Sequence, residues 1–155
     1  MTTTENSFEK NYHYLRIFSL SENLNHTFLQ SLKRNLVKNK INDINSIQCL
    51  ILYNIGTKKI NVSDIKNQNY YIGSNVTYNL QKMIENNYLI KEKSLLDGRN
   101  QEIKLSKKGL SLYMQLNQIF SEWNKNIKNN GFSEKDIEEG EKALLRLKAY
   151  VNISF

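Results

Sequence analysis

Residues 74–109 read SNVTYNLQKMIENNYLIKEKSLLDGRNQEIKLSKKG. The hydrophobic period changes once along this stretch. Val76, Leu80, Met83 and Ile84 recur at helical spacing, so a helix is expected from the capping Ser74 to about Asn86. Asn87 stands at the exit, and asparagine tolerates the left-handed backbone that such an exit often needs. Two short, partly alternating runs follow, 88–93 and 101–105, with Asp97-Gly98 between them. Asp-Gly is a strong turn signal, so the two runs are expected to form a β-hairpin. Ser106 then caps another helix.

Working outward, Asn45-Ser46-Ile47-Gln48 has the form of a capping box, with Ile44 placed as a hydrophobic staple. The helix it opens, 47–55, ends at Gly56. Asn61-Val62-Ser63-Asp64 repeats the form and opens a short helix carrying Val62 and Ile65, followed by a connector through Gly73. The order helix, short helix, helix, hairpin is a helix-turn-helix followed by a wing. The flanks are helical. Phe8, Tyr12, Leu15 and Phe18, then Leu24, Phe28, Leu32 and Leu36, recur over the first forty residues, as one helix or as two broken near Asn23 and Asn25. After Ser106 a long helix carries Leu110, Tyr113, Met114, Phe120, Trp123 and Ile127 to Asn129-Asn130-Gly131. Ser133-Glu134-Lys135-Asp136 is a further capping box, before a last helix with Ile137, Leu144, Leu147 and Val151. The expected fold is mainly α with a small β-hairpin: a winged helix-turn-helix over 41–108, with long helices at 1–40 and 109–155 forming a dimerisation region.

Charge is unevenly spread. Of the net +7, residues 58–108 carry +5, residues 1–57 carry +2, and residues 109–155 are neutral. A polyanion would therefore be met by the middle third, and the neutral, aromatic-rich ends suit a second copy of the chain. No apolar run reaches the ~18 residues of a membrane span, and the first residues lack a signal peptide's basic and apolar regions. A cytoplasmic protein without membrane contact is the expectation. The 23 asparagines and the absence of proline follow AT-rich codons, which argues against reading function into any single asparagine.

With Val76, Leu80, Met83 and Ile84 turned inward, Ser74, Asn75, Tyr78, Gln81, Lys82 and Glu85 occupy the outward arc of that helix, flanked by Thr77. An α-helix fits the major groove of B-form DNA; Asn and Gln bond adenine, and Ser or Thr bonds base or phosphate. Tyr78 offers its hydroxyl to phosphate or its ring to a thymine methyl, and Lys82 neutralises phosphate. The alternative is a winged-helix module for protein or RNA contact, of which a protein-binding version would show apolar residues on this arc. A nonspecific architectural DNA binder would ignore sequence altogether.

From Asp43 to Gly109 the chain resembles the MarR family of bacterial winged-helix regulators. The likeness is carried by Asp97-Gly98-Arg99 and then Ile103-Lys104-Leu105-Ser106-Lys107-Lys108-Gly109, which follow the family's Asp-x-Arg, alternating strand and Leu-Thr-x-x-Gly. Ser106 replaces the usual threonine and Asn87 the usual glycine. Residues 73–80 are also similar to the recognition helix of the LdtR-like subgroup. The resemblance implies a homodimeric transcriptional regulator, read as a repressor, on a pseudo-palindromic double-stranded DNA operator. It implies interleaved first and last helices, Arg99 in the minor groove, and Asp97 holding the wing. It also implies a small-molecule effector between the dimerisation and DNA-binding regions. Narrow minor grooves concentrate negative potential, a physical reason for an arginine there.

Other residues read as structural. Cys49 sits near a helix start but beside Leu50 and Ile51, which points to core packing rather than a redox sensor. His13 and His26 have no ligand at metal spacing. Tyr12, Phe18, Tyr53, Tyr113 and Trp123 read as core or dimer contacts. There is no glycine-rich phosphate loop and no nucleophile elbow, so neither catalysis nor a cofactor is expected.

Overall fold

The computed structural model describes residues 3–67, 76–93 and 101–154, with side chains described over 15–65, 76–93 and 101–151. Ser74 as a helix cap, Asn75, and the turn with Asp97, Gly98 and Arg99 lie outside the described residues. The elements are α1 (Thr3–Lys38), α2 (Ser46–Ile55), β1 (Ile60–Asn61), α3 (Val62–Asn67), α4 (Val76–Glu85), β2 (Leu89–Lys93), β3 (Gln101–Leu105), α5 (Lys107–Asn129) and α6 (Glu134–Ser154). The chain divides into two compact units, Met1–Ser111 and Leu112–Phe155. No helix among the described residues is long and apolar enough to cross a membrane.

The first unit is a winged helix-turn-helix. Leu32 and Leu36 of α1, Cys49, Ile51 and Leu52 of α2, Ile65 of α3, Leu80 and Met83 of α4, and Leu89 and Ile103 of the sheet form its core. Each such aliphatic side chain contributes about 1.5–3 kcal/mol on burial. α1 is continuous through Asn23 and Asn25. Asparagine is a weak helix former, not a breaker, and here Asn23 accepts a bond from the Thr27 hydroxyl one turn on.

Helix ends follow their chemistry closely. Asn45 caps α2 in a reciprocal box: its side chain accepts from the Gln48 N–H at 2.9 Å, and Gln48 Oε1 accepts from the Asn45 N–H at 3.1 Å. α1 and α4 both end in Schellman turns. Ile41 N–H donates to the Leu36 carbonyl with Lys40 at φ 58°, and Tyr88 N–H donates to the Met83 carbonyl with Asn87 at φ 61°. Asn87 thus takes the left-handed conformation expected of it.

The sheet holds more than the expected hairpin. β2 and β3 pair antiparallel from Leu89↔Leu105 to Lys93↔Gln101, and β1 joins the free edge of β3 at Ile60↔Ile103 and Asn61↔Glu102. Two residues cannot show an alternating pattern, so β1 is invisible to periodicity. The capping expected of Asn61 is not made either. Its Oδ1 is buried without a hydrogen-bond partner among the described residues. Strand pairing has taken over the residue that would otherwise open α3. Glu92 ties the sheet together by pairing with both Lys59, at 2.7 Å, and Lys104.

In the second unit α5 ends in another Schellman turn at Gly131, and α6 opens on the expected box. Asp136 accepts from both the N–H and the hydroxyl of Ser133, and Ser133 Oγ accepts from the Asp136 N–H. Phe120 and Trp123 stack obliquely, with ring centroids 5.7 Å apart.

Gly109 is set by close approach. A Cβ built on it would lie 2.1 Å from the Tyr88 carbonyl oxygen, whereas one on Gly140 of α6 meets nothing within 4 Å. Gly109→Ala is expected to lower unfolding stability by about 2–3 kcal/mol through forced displacement of backbone. Gly140→Ala should raise it by about 0.5–1 kcal/mol, since alanine suits an exposed helix better than glycine. Denaturant unfolding of the two variants beside the parent checks the contrast.

Candidate nucleic-acid interface

α4 separates an inner face from an outer one. Leu80, Met83 and Asn79 are buried, Val76 and Ile84 half-buried, and Thr77, Tyr78, Gln81 and Glu85 exposed. Of the residues expected to read DNA, Thr77, Tyr78, Gln81 and Lys82 come together on one face. Tyr78 is 56% exposed, a large value for an aromatic ring. Gln81 and Lys82 are not idle. Gln81 Nε2 donates to Glu85 Oε1 at 3.3 Å, and Lys82 Nζ to Glu85 Oε2 at 2.8 Å, with the ammonium 5.9 Å from the Tyr78 ring. The Lys82 and Gln81 bonds hold the Glu85 carboxyl below the ordinary range, so it is ionised at neutral pH. Exposed pairs of this kind hold weakly, and a phosphate can replace Glu85 as the partner of Lys82.

The inner face of α4 is gripped through polar contacts that the helical pattern hides. Asn79 Oδ1 accepts from Gln48 Nε2 at 3.2 Å, both residues being buried. The available signal was a polar residue four before Met83, inside the apolar arc. At the exit, Asn86 Nδ2 donates to the Asp43 carbonyl at 2.6 Å, and Lys108 Nζ donates to the Asn86 carbonyl at 3.0 Å. The Asp43 carboxylate pairs with Lys108 and accepts from the Tyr88 hydroxyl at 2.6 Å, while the Lys108 ammonium lies 4.1 Å from the Tyr88 ring centroid. Ser106 Oγ donates to the Asn87 carbonyl at 2.5 Å and accepts from the Gly109 N–H at 3.0 Å. Its cap on α5 is therefore also a tie to the exit of α4. Lys108, on the first turn of α5, faces the wrong end of the helix dipole, and Asp43 supplies the offsetting charge.

A cleft of about 540 Å³ lies between the end of α1, the 39–45 connector, α2 and α4. Its lining includes Lys33, Val37, Ile41, Tyr78 and Lys82. Cys49 is buried, and burial pushes its thiol up to about 12, so it is protonated and shielded at neutral pH.

No protein-family model matches the chain. It is 26% identical over 134 residues to the exopolysaccharide II synthesis transcriptional activator ExpG of Rhizobium meliloti, covering 86% of this chain and 69% of that one. Among solved structures it is similar to Streptococcus pneumoniae FabT in complex with DNA, with TM-score 0.67, 23% identity, and 90% and 97% of the two chains covered. It is also similar to Staphylococcus aureus MarR in complex with salicylate and kanamycin, with TM-score 0.72, 18% identity, and 95% and 97% covered. The fold is that of the MarR-type regulators.

Burial opposes ionisation of Asp43, but the Lys108 and Tyr88 bonds outweigh it and hold the carboxyl below its ordinary 3.8. A carboxylate with a depressed folded-state pKa contributes stability that is present above its unfolded pKa and lost as pH falls through the folded one. Asp43→Asn should therefore cost about 1 kcal/mol at neutral pH, the half-exposed pair being screened. The difference from the parent should shrink as pH falls below about 4. Denaturant midpoints of both proteins at pH 7 and pH 3 measure this.

Proposed function

We propose that the chain is a homodimeric, sequence-specific DNA-binding transcription regulator, with α4 as the helix that enters the major groove. The observation that carries this reading is the division of α4. Thr77, Tyr78 and Gln81 are exposed, and with the half-buried Lys82 beside them they form a polar outer face on a helix whose opposite face is locked into the core. A protein-docking helix would show apolar residues there. Helices of this kind read base edges with three or four side chains, and phosphate contacts set their register. The likeness to FabT, solved in complex with DNA, supports the same use. Ser74 and Asn75 join this set from the sequence, as do Asp97 and Arg99 at the wing.

Residues 41–108 are proposed as the DNA-binding domain, with 1–40 and 109–155 as the dimerisation region. Each terminal helix carries apolar side chains in water. Leu15 is 68% and Leu24 70% exposed on α1, and Leu144, Leu145 and Tyr150 are exposed on α6. Clustered apolar surface of this kind marks a protein contact. Two copies would then place two α4 helices in successive major grooves, about one helical turn apart. Control by a small molecule follows from the resemblance, and the cleft beside Tyr78 and Lys82 offers room for one. The sign of regulation is drawn two ways: the resemblance implies a repressor, while ExpG is by name an activator.

The test is binding to duplexes selected from a randomised pool, compared with unselected DNA, over a salt series. Selected duplexes should bind at least 1,000-fold tighter than unselected ones at physiological salt, and both affinities should fall steeply as salt rises. Arg99→Ala should weaken selected-site binding about tenfold or more. Equal affinity for both pools at every salt concentration contradicts sequence-specific reading. Light scattering at micromolar concentration should give twice the chain mass.

A further inference from the structure

We propose that Gln48 and Asn79 are positioning residues for DNA reading: their buried amide contact sets the rotation of α4 about its own axis. The inference rests on the reading of α4 as the DNA-contacting helix. Gln48 is 6% exposed and Asn79 8%, so neither side chain reaches the outer face. They act on DNA only through the helix that one of them belongs to.

The orientation of the contact is forced from one end. The Asn45 N–H is a donor, so the Gln48 amide must turn its oxygen toward it, and it does so at 3.1 Å. That leaves Nε2 facing α4, where Asn79 presents Oδ1 at 3.2 Å. The capping box of α2 therefore dictates what the recognition helix must offer. The box belongs to a connector already tied to α1, since Ile41 N–H donates to the Leu36 carbonyl and Ser46 Oγ to the Leu29 carbonyl at 2.9 Å. Placement runs from α1 through the connector and Gln48 to the middle of α4. The Asn86 bond to the Asp43 carbonyl, made from the same connector, holds the exit.

Apolar contacts at Leu80 and Met83 hold α4 against the core, but the hydrophobic effect behind them is not directional. A hydrogen bond is directional, weakening steeply away from linearity. A rotation of ~15° moves a side-chain tip on a helix surface by roughly 1.5 Å, enough to break a bond to a base edge. Tyr78 lies one residue before Asn79 and Gln81 two after it, so turning Asn79 turns both.

Asn79→Leu keeps volume, leaves the α2 capping box intact, and removes the acceptor. Asn79→Asp restores one. Each full-length variant is measured against duplexes selected by the parent protein and against unselected duplexes. Asn79→Leu is expected to bind unselected DNA within about twofold of the parent, with the same salt slope, because phosphate contacts persist. Its affinity for selected duplexes should fall at least tenfold, and Asn79→Asp should recover most of that loss. A global loss of folding would lower both affinities together. If Asn79→Leu does not fold, Gln48→Met/Asn79→Leu, which removes both side-chain amides at the cost of the Gln48 half of the α2 capping box, takes its place with the same expected loss of discrimination. Parent-like discrimination in the folded variant overturns the positioning role alone. A parent protein that selects no sequence overturns the reading on which it rests.

Discussion

Tyr88 is the point on which the winged-helix unit turns. Its N–H closes the last turn of α4 on the Met83 carbonyl at 2.8 Å, and its carbonyl accepts from the Ser106 N–H at 3.1 Å. That carbonyl also lies so close to Gly109 that no Cβ fits there. The ring is buried beneath the Lys108 ammonium, and the hydroxyl reaches Asp43. Burial, and then the Asp43 carboxylate, push the phenol well above its ordinary range, so it stays a donor. One residue thus fixes where α4 ends, where β2 begins, how α5 starts and where the 39–45 connector sits. An aromatic with a polar tip suits this role, since it fills core volume while its hydroxyl takes a directional bond.

From that anchor the shape of the interface follows. α4 is held at its exit by Asn86 and Tyr88, and in its middle by Asn79 on Gln48. With its inner face so constrained, the direction of Tyr78, Gln81 and Lys82 is determined by helical geometry alone. The proposed DNA reading needs that rigidity, because base-edge contacts are lost with displacements of an ångström or two. Weak pairing of Lys82 and Gln81 with Glu85 keeps the outer face ordered without committing it.

Much of this was legible in the sequence because it is local. The boxes at Asn45/Gln48 and Ser133/Asp136, the Ser106 cap and the Asn87 exit each depend on residues within one helical turn, and each forms. The apolar arc of α4 was legible for the same reason. The missed contacts are distant ones. Asp43 meets Tyr88 and Lys108 across 45 and 65 positions, and Gln48 meets Asn79 across 31. No periodicity encodes such pairs, and an asparagine-rich composition masked Asn79 among its many neighbours. β1 escaped because two residues carry no pattern, and Asn61 read as a cap although strand pairing claims it. Ser74, Asn75, Asp97 and Arg99 stand on the sequence and the resemblance.

Methylation interference on a duplex bound by the full chain tests the proposed geometry most directly, because guanine N7 lies in the major groove. Two clusters of interfering guanines, about one helical turn apart and symmetric about a centre, are the expected result. A single cluster, or no interference on a duplex that is nonetheless bound, contradicts paired major-groove entry by two α4 helices.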